Sequence, residues 1–166
     1  MERCRKIAVV AHCLLNVNTK VKGLATYAAI HPVVQELISQ GVGIIQLPCP
    51  EVAHLGMNRW GMTKEQYNVP AYRRLCERLV EPMVDTIRAL ADDGCKIVGI
   101  WGVDGSPSCG VNVTCTGFSG GELESFGAVP KSVPSPGEGI FFSVLCRACH
   151  EAGLEVSVRA VAEQVE

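Results

Sequence analysis

Three of the nine cysteines follow segments that the sequence predicts to be buried β-strands. Cys13 and Cys49 each come two residues after such a segment, and Cys109 lies in the loop after a third. Because the carboxyl ends of parallel strands meet at one edge of a sheet, we expect these three thiols to converge there. Thiolates bind soft metals, so this edge is the predicted site of zinc or of an iron–sulfur cluster.

A set of three thiols points to an open metal site. A structural zinc ion is closed by four ligands, whereas a cubane cluster held by three thiolates leaves one iron free to act as a Lewis acid. Two further candidates flank the cysteines: Glu51 follows Cys49, and Ser106 lies in the loop before Cys109. A loop glutamate is more often a solvated charge and a loop serine a turn residue, so both alternatives stay open at this stage.

The remaining cysteines lack this placement. Cys4 and Cys95 precede strands, which puts them at the opposite edge, and Cys76 lies beside the apolar stripe of a helix. Cys115 is the further thiol that we expect nearest to the three candidates, where it is a possible fourth ligand. Residues 146–150 match the C-x-x-C-H pattern of haem attachment, but they lie within a predicted helix, so core or surface thiols are the better interpretation.

Four other side chains flank the predicted site, and their roles remain open. The two histidines, His12 and His54, are metal ligands, acid–base groups or ordinary structural residues. The rings of Trp60 and Tyr67 either stack on a planar substrate or pack beneath the loop that carries them.

Composition excludes several classes of function. The 166 residues include 15 Lys+Arg and 17 Asp+Glu, a formal net charge of −2, which is not the footprint of a nucleic-acid-binding protein. No apolar run approaches the roughly 18–20 residues of a membrane helix. The odd cysteine count and the lack of a cleavable signal argue against a disulfide framework. We therefore expect a cytoplasmic protein with neither a nucleic-acid nor a membrane partner.

The elements that position these residues alternate between strand and helix. Apolar runs predict strands at 6–11, 43–47, 96–101 and 154–159, and helical spacing predicts helices at 26–40, 72–90 and 140–152. Pro82 predicts a kink or two abutting helices within the second of these. Residues 12–23 are predicted to be a loop, and residues 52–68 an irregular loop that includes one helical turn. The Gly-, Ser- and Pro-rich segment at about 116–139 is predicted to be a mobile flap.

This alternation predicts a single α/β domain over residues 1–166. We expect a small three-layer sandwich with about four parallel strands, Rossmann-like or flavodoxin-like in order. A G-x-G-x-x-G motif is absent after the first strand, so a dinucleotide cofactor is not expected.

Three short motifs resemble those of a known family. They are Cys13-Leu14-Leu15-Asn16, Cys49-Pro50-Glu51 and the Gly-Ser-Pro-Ser-Cys-Gly run at 105–110. Together they resemble the DUF523 family, whose characterised member is a thiouracil desulfidase, and the segments 59–61, 66–67 and 137–141 are similar to one branch of it. The combination of Ser-Pro-Ser-Cys-Gly with Cys-Pro-Glu is fairly specific, whereas Cys-Leu-Leu alone is not.

The resemblance implies a [4Fe–4S] cluster held by Cys13, Cys49 and Cys109, with the sulfur of a small thionated substrate binding the open iron. It also implies catalytic roles for Glu51, as the base for an attacking water, and for Ser106, which would orient the substrate or relay a proton. The expected activity is a non-redox desulfidase that releases hydrogen sulfide from a thiouracil-like heterocycle.

Alternatives to this interpretation remain open. The family's glycine after Cys-Leu-Leu and its later Arg-Tyr-Asp-Gly run are replaced here by Asn16 and by residues 19–23, so the substrate can differ. A zinc protein that uses the same cysteines with a histidine is the second candidate. The third is a non-catalytic carrier of an iron–sulfur cluster or of sulfide. Neither the physiological substrate nor the oligomeric state follows from the sequence.

Overall fold

Four parallel strands form the central sheet of the computed structural model, which describes residues 3–122 and 132–162. Numbered in chain order with two further strands given below, they are β1 (Lys6–Val10), β2 (Gly43–Gln46), β3 (Lys96–Val103) and β6 (Val158–Val161). Their order is β2-β1-β3-β6, and all three neighbouring pairs are parallel. This is the flavodoxin-like order, so the predicted α/β fold is confirmed.

Helices flank the sheet. They are α1 (His12–Leu15), α2 (Pro32–Ser39), α3 (Pro50–Leu55), α4 (Lys64–Tyr67), α5 (Pro70–Asp92) and α6 (Ile140–Glu151). Right-handed connections place α2 on one face of the sheet and α5 with α6 on the other. Strand residues such as Val9 and Ile100 are fully buried and form the core with Ile87 of α5 and Phe141 of α6.

Two helices differ from the sequence prediction. Helix α2 begins at Pro32 rather than at residue 26, because proline favours the first helical position and keeps the preceding residue extended. The His31 Nδ1 atom accepts a hydrogen bond from the Val33 N–H and caps this start. Of the kink or the two abutting helices predicted at Pro82, the second is wrong, since α5 is one helix of 23 residues that continues through that proline; the kink stays a prediction.

The segments predicted as loops contain short elements. Residues 52–68 include part of α3 and all of α4, where Thr63 and Gln66 form a capping box. Residues 12–23 include α1 and a 3₁₀ turn at Val17–Thr19. These helices and the 3₁₀ turn are each too short to produce a recognisable helical period in the sequence. The last strand begins at Val158 rather than at residue 154, since its extent is set by pairing with β3.

A two-stranded hairpin stands beside the main sheet. Strand β4 (Val113–Thr116) pairs antiparallel with β5 (Val133–Pro136), which lies inside the segment predicted to be a mobile flap. Prolines fit β5 because an edge strand leaves some N–H positions unpaired. The central part of the predicted flap lies outside the described residues. In the described part of the chain, no helix has the length and apolar character to cross a membrane.

The carboxyl ends of β1 and β3 flank the point where the strand order reverses. From β1 the chain crosses to β2 on one side, and from β2 it returns past β1 to β3 on the other. The sheet bonds extend slightly beyond the strands, with the Ala11 N–H donating to the Trp101 carbonyl and the Leu47 N–H to the Val10 carbonyl. Ligands of open α/β sheets bind at such a reversal, so this edge is the place to look for a site.

Candidate active site

A cavity of about 200 Å³ opens at this edge of the sheet. The five residues predicted to hold the cluster or take part in catalysis all line it: the three strand-end cysteines Cys13, Cys49 and Cys109, together with Glu51 and Ser106. Their convergence follows from the parallel sheet, because each belongs to the segment that follows a strand. Their roles as cluster ligands and catalytic groups remain predictions.

Cys13 is held by short helix α1. The Tyr27 hydroxyl donates a hydrogen bond of 2.8 Å to the Cys13 carbonyl oxygen, which ties the later loop to this position. The neighbouring His12 lines the cavity as well, and its Nδ1 atom lies 2.9 Å from the Leu47 carbonyl oxygen after β2. His12 therefore links the ends of β1 and β2.

Cys49 and Glu51 lie at the start of α3. Cys49 is the residue before the helix, Pro50 is its first residue, and Glu51 lies in the first turn. Burial raises the pKa of the Cys49 thiol, and the backbone N–H of Val52 opposes this effect. A proline at the first helical position fixes where the helix begins, so the Cys-Pro-Glu sequence sets the separation of thiol and carboxylate.

The loop that carries Cys109 is organised by Asp104. Its Oδ1 atom accepts hydrogen bonds from the N–H groups of Asn112, Val111 and Val113 at 2.8, 2.9 and 3.2 Å. Burial alone would raise the pKa of Asp104, but these donors outweigh it and lower the pKa. Asp104 is therefore the anchor of the loop, a role that the sequence prediction missed.

Helix α6 closes tightly against the same loop. The Ile140 N–H donates to the Pro107 carbonyl at 3.0 Å, and the Phe142 N–H donates to the Ser108 carbonyl at 3.1 Å. A side chain at Gly139 would overlap the backbone of Ser108. Glycine is therefore required at 139 by close approach, and the start of α6 fixes the loop before Cys109.

The Ser106 hydroxyl is oriented by the backbone of its own loop. Its Oγ atom accepts hydrogen bonds from the N–H groups of Cys109 at 3.0 Å and Ser108 at 3.3 Å. With its lone pairs used in this way, the hydroxyl can still donate its own proton. Ser106 therefore shapes the turn and also presents a donor at the cavity.

Arg59 is the principal site residue that the sequence prediction did not identify. Its side chain is 2% exposed, and its Nε atom lies 3.2 Å from Glu51 Oε2. The guanidinium also donates to the carbonyl oxygens of Thr19 at 2.6 Å and Gly56 at 3.1 Å. Arg59 thus ties Glu51 to the loop after α1. The sequence does not predict the pairing of Arg59 with Glu51, because the two residues are eight positions apart and come into contact only in the folded chain.

The three thiols interact electrostatically. The pKa of Cys109 is raised well above its usual value, first by burial and then by the neighbouring thiols of Cys13 and Cys49. Three thiols that line one cavity are a donor set that fits an iron–sulfur cluster, because cysteine thiolates are the usual ligands of such clusters. In residues 3–122 and 132–162, no three His, Cys, Asp or Glu side chains are grouped closely enough to hold a single metal ion.

The two aromatic candidates, Tyr67 and Trp60, differ in their exposure to solvent. Tyr67 is fully buried, with its ring centroid 4.7 Å from that of Tyr72, so it packs beneath the site rather than facing a substrate. Trp60 is 59% exposed and lies between the cavity-lining residues Arg59 and Gly61. The His54 ring contacts Tyr72 edge-on, with centroids 5.1 Å apart.

The other cysteines divide as follows. Cys115 on β4 lines the cavity, and its Sγ atom donates to the Met62 carbonyl oxygen at 3.6 Å. Cys76 and Cys149 are fully buried in the core. Cys146 is half-buried in α6, where burial, Glu138 and Cys149 raise its pKa to about 11. The cysteines of the C-x-x-C-H match are thus a core residue and a partly covered one.

The motif resemblance is confirmed by comparison with known proteins. Residues 5–123 match the model of the family described as "Putative 2-thiouracil desulfurase", which is more than half of the chain. The chain belongs to this family.

Two individual proteins are similar to the chain. Over 108 residues it is 41% identical to an uncharacterized protein of Methanocaldococcus jannaschii, MJ0003, covering 64% of this chain and 69% of that protein. The solved structure of the [4Fe-4S]-dependent thiouracil desulfidase TudS (DUF523Vcz) matches with a TM-score of 0.51 and 21% identity, covering 93% of this chain and 91% of that one. At this identity the likeness shows a shared fold.

Proposed function

We propose that this protein is a [4Fe–4S]-dependent desulfidase that replaces the sulfur of a thionated heterocycle, such as a thiouracil-like base, with oxygen. The observation that carries the proposal is the shared cavity of three strand-end thiols, a carboxylate and a hydroxyl. Family membership and the similarity to TudS support it. The net reaction consumes water and releases hydrogen sulfide. Because no electrons are gained or lost overall, no external reductant is needed.

Cys13, Cys49 and Cys109 are the residues that would hold the cluster. They come from the three segments that follow β1, β2 and β3, and each would supply one thiolate ligand. All three line the same cavity, and this set of three thiol donors supports the assignment. When bound, such a cluster supplies one iron without a protein thiolate, a Lewis acid suited to a soft sulfur donor.

Glu51 is the proposed general base. It lines the same cavity as the thiols, and Arg59 holds one of its carboxylate oxygens at 3.2 Å. The other oxygen can take a proton from a water molecule that attacks the carbon of the substrate. A single ion pair with a nearly buried arginine holds the carboxylate at the cavity without occupying both of its oxygens.

Ser106 is the proposed donor to the substrate. Its oxygen already accepts two backbone N–H groups, so the hydroxyl proton is directed away from the turn. A donor of this kind can orient a ring nitrogen or stabilise negative charge that develops during the attack. The same two hydrogen bonds couple the position of Ser106 to that of Cys109.

The test is anaerobic reconstitution with iron and sulfide, followed by incubation with 2-thiouracil. We expect about four irons and four sulfides per chain, and sulfide release that depends on the added base. A protein that retains zinc and takes up no iron would overturn the proposal in favour of a zinc site. A protein that binds the cluster but releases no sulfide from a panel of thionated bases would instead be a carrier.

A further inference from the structure

One buried hydroxyl stands out among the described residues because it has no hydrogen-bond partner. It belongs to Tyr67, the last residue of α4, whose side chain is fully buried. The hydroxyl of Tyr72, against which Tyr67 packs, is by contrast paired with Ser108 Oγ at 2.8 Å. A buried hydroxyl without a partner costs stability, so a phenylalanine at position 67 would be the simpler core residue.

The Tyr67 hydroxyl lies beside the candidate base. The Tyr67 ring packs within 6.5 Å of the His54 ring on α3, the helix whose first turn carries Glu51. Burial raises the pKa of Tyr67 most, and the nearby carboxylate of Glu51 raises it further. The two side chains are therefore neighbours: a short-range interaction with Glu51 is the smallest of the causes that raise the pKa of Tyr67, although no acceptor lies within full hydrogen-bonding geometry of its hydroxyl.

The Glu51 carboxylate has room for a second donor. Arg59 Nε donates to Glu51 Oε2 at 3.2 Å, and a carboxylate has further lone pairs on both oxygens that can accept a second donor. One donor fixes the distance of a carboxylate but leaves its plane free to turn. Two donors on different sides would fix the plane as well.

We propose that Tyr67 is a positioning residue for Glu51, whose carboxylate accepts a hydrogen bond from the Tyr67 hydroxyl when substrate occupies the cavity. The inference rests on the proposed function, in which Glu51 is the base. Hydrogen bonds of catalytic groups are often long in the free protein and tighten when the substrate binds. The Tyr67 hydroxyl, which has no partner in the free protein, then donates to the Glu51 carboxylate in the substrate-bound protein.

Tyr67→Phe is the decisive variant, because it removes the hydroxyl and keeps the ring. We expect a Tm equal to or above that of the parent protein, unchanged iron content, and a kcat for 2-thiouracil lowered about tenfold or more with little change in KM. Tyr72→Phe is the matched control: it deletes a hydroxyl that has a partner, so its Tm should fall. An unchanged kcat for Tyr67→Phe, or a Tm loss equal to that of the control, would overturn the proposal.

A second measurement does not depend on turnover. With 3-fluorotyrosine at position 67 of the reconstituted protein and 2-thiouracil added, the fluorine resonance should move on Glu51→Ala by more than that of the same label at position 72. If the label at 67 does not respond, Tyr67 does not act through Glu51. If it responds in a protein that releases no sulfide from any thionated base, the pairing stands and the proposed function fails.

Discussion

The strand-end edge and helix α6 both place cysteines close together, but the two regions surround their thiols differently. Cys13, Cys49 and Cys109 come from distant parts of the chain and share a cavity with Glu51. Cys146 and Cys149 come from one helix and pack against or within the core. Burial raises thiol pKa values in both regions, but the strand-end thiols also face a carboxylate and a hydroxyl.

The difference shows that, in this chain, the position of a cysteine at the end of a parallel strand predicts a shared site better than the spacing of cysteines in a short sequence motif does. The pattern C-x-x-C-H is a recognised motif, yet in α6 its cysteines serve packing. The strand-end cysteines match no short spacing rule, because their proximity arises from the sheet. The predictions that follow set the two regions against each other.

Replacing any one strand-end cysteine should have the largest effect. For Cys13→Ala, Cys49→Ala or Cys109→Ala we expect loss of stable cluster incorporation and of all sulfide release, since two thiolates cannot hold the cluster against competing ligands. Iron and sulfide analysis after anaerobic reconstitution measures this. The matched controls are Cys76→Ala and Cys95→Ala, which should retain the cluster. Equal loss in all five variants would remove the distinction between the regions.

Glu51→Gln should separate catalysis from cluster binding. The amide keeps the size of the side chain but cannot accept a proton, so we expect kcat to fall about 10²- to 10⁴-fold with the iron content unchanged. Steady-state sulfide release and iron analysis on the same samples check both parts. A Glu51→Gln protein that turns over at the parent rate would place the base elsewhere in the cavity.

The central sheet and the convergence of the three cysteines could be predicted from the sequence, whereas the side-chain contacts within the site could not. Strand segments such as 96–101 are apolar on both faces, which is typical of a parallel sheet. Because parallel strands end at one edge of the sheet, the convergence of Cys13 and Cys109 at that edge could be predicted. The partnership of Arg59 with Glu51 could not, because it depends on a loop without periodicity. Helix α2 was predicted to begin too early, because the apolar residue Ile30 extends the helical pattern to the N-terminal side of Pro32.

Asp104→Asn should weaken the strand-end region by a moderate amount. The carboxylate accepts three backbone N–H groups in the Cys109 loop, and we expect the free energy of unfolding to fall by about 1–3 kcal/mol at neutral pH.

The Asp104 effect should depend on pH. Because folding lowers the pKa of Asp104, its stabilisation is complete above the unfolded pKa and is lost as the pH falls through the folded pKa. The gap between variant and parent should therefore close in acid, as denaturant unfolding at several pH values would measure. A gap that stays constant down to the lowest pH would mean that charge is not the cause.

The two cysteines of α6 should show the smallest effects, and these should concern stability alone. Cys149 is fully buried, so Cys149→Ala leaves a small void and should lower the free energy of unfolding by about 1 kcal/mol. Cys146→Ala, at a partly exposed position, should change it by less than about 0.5 kcal/mol. Neither should alter iron content or sulfide release. A loss of cluster in either variant would contradict the view that these thiols only pack, and would extend the functional region from the strand ends into the helix.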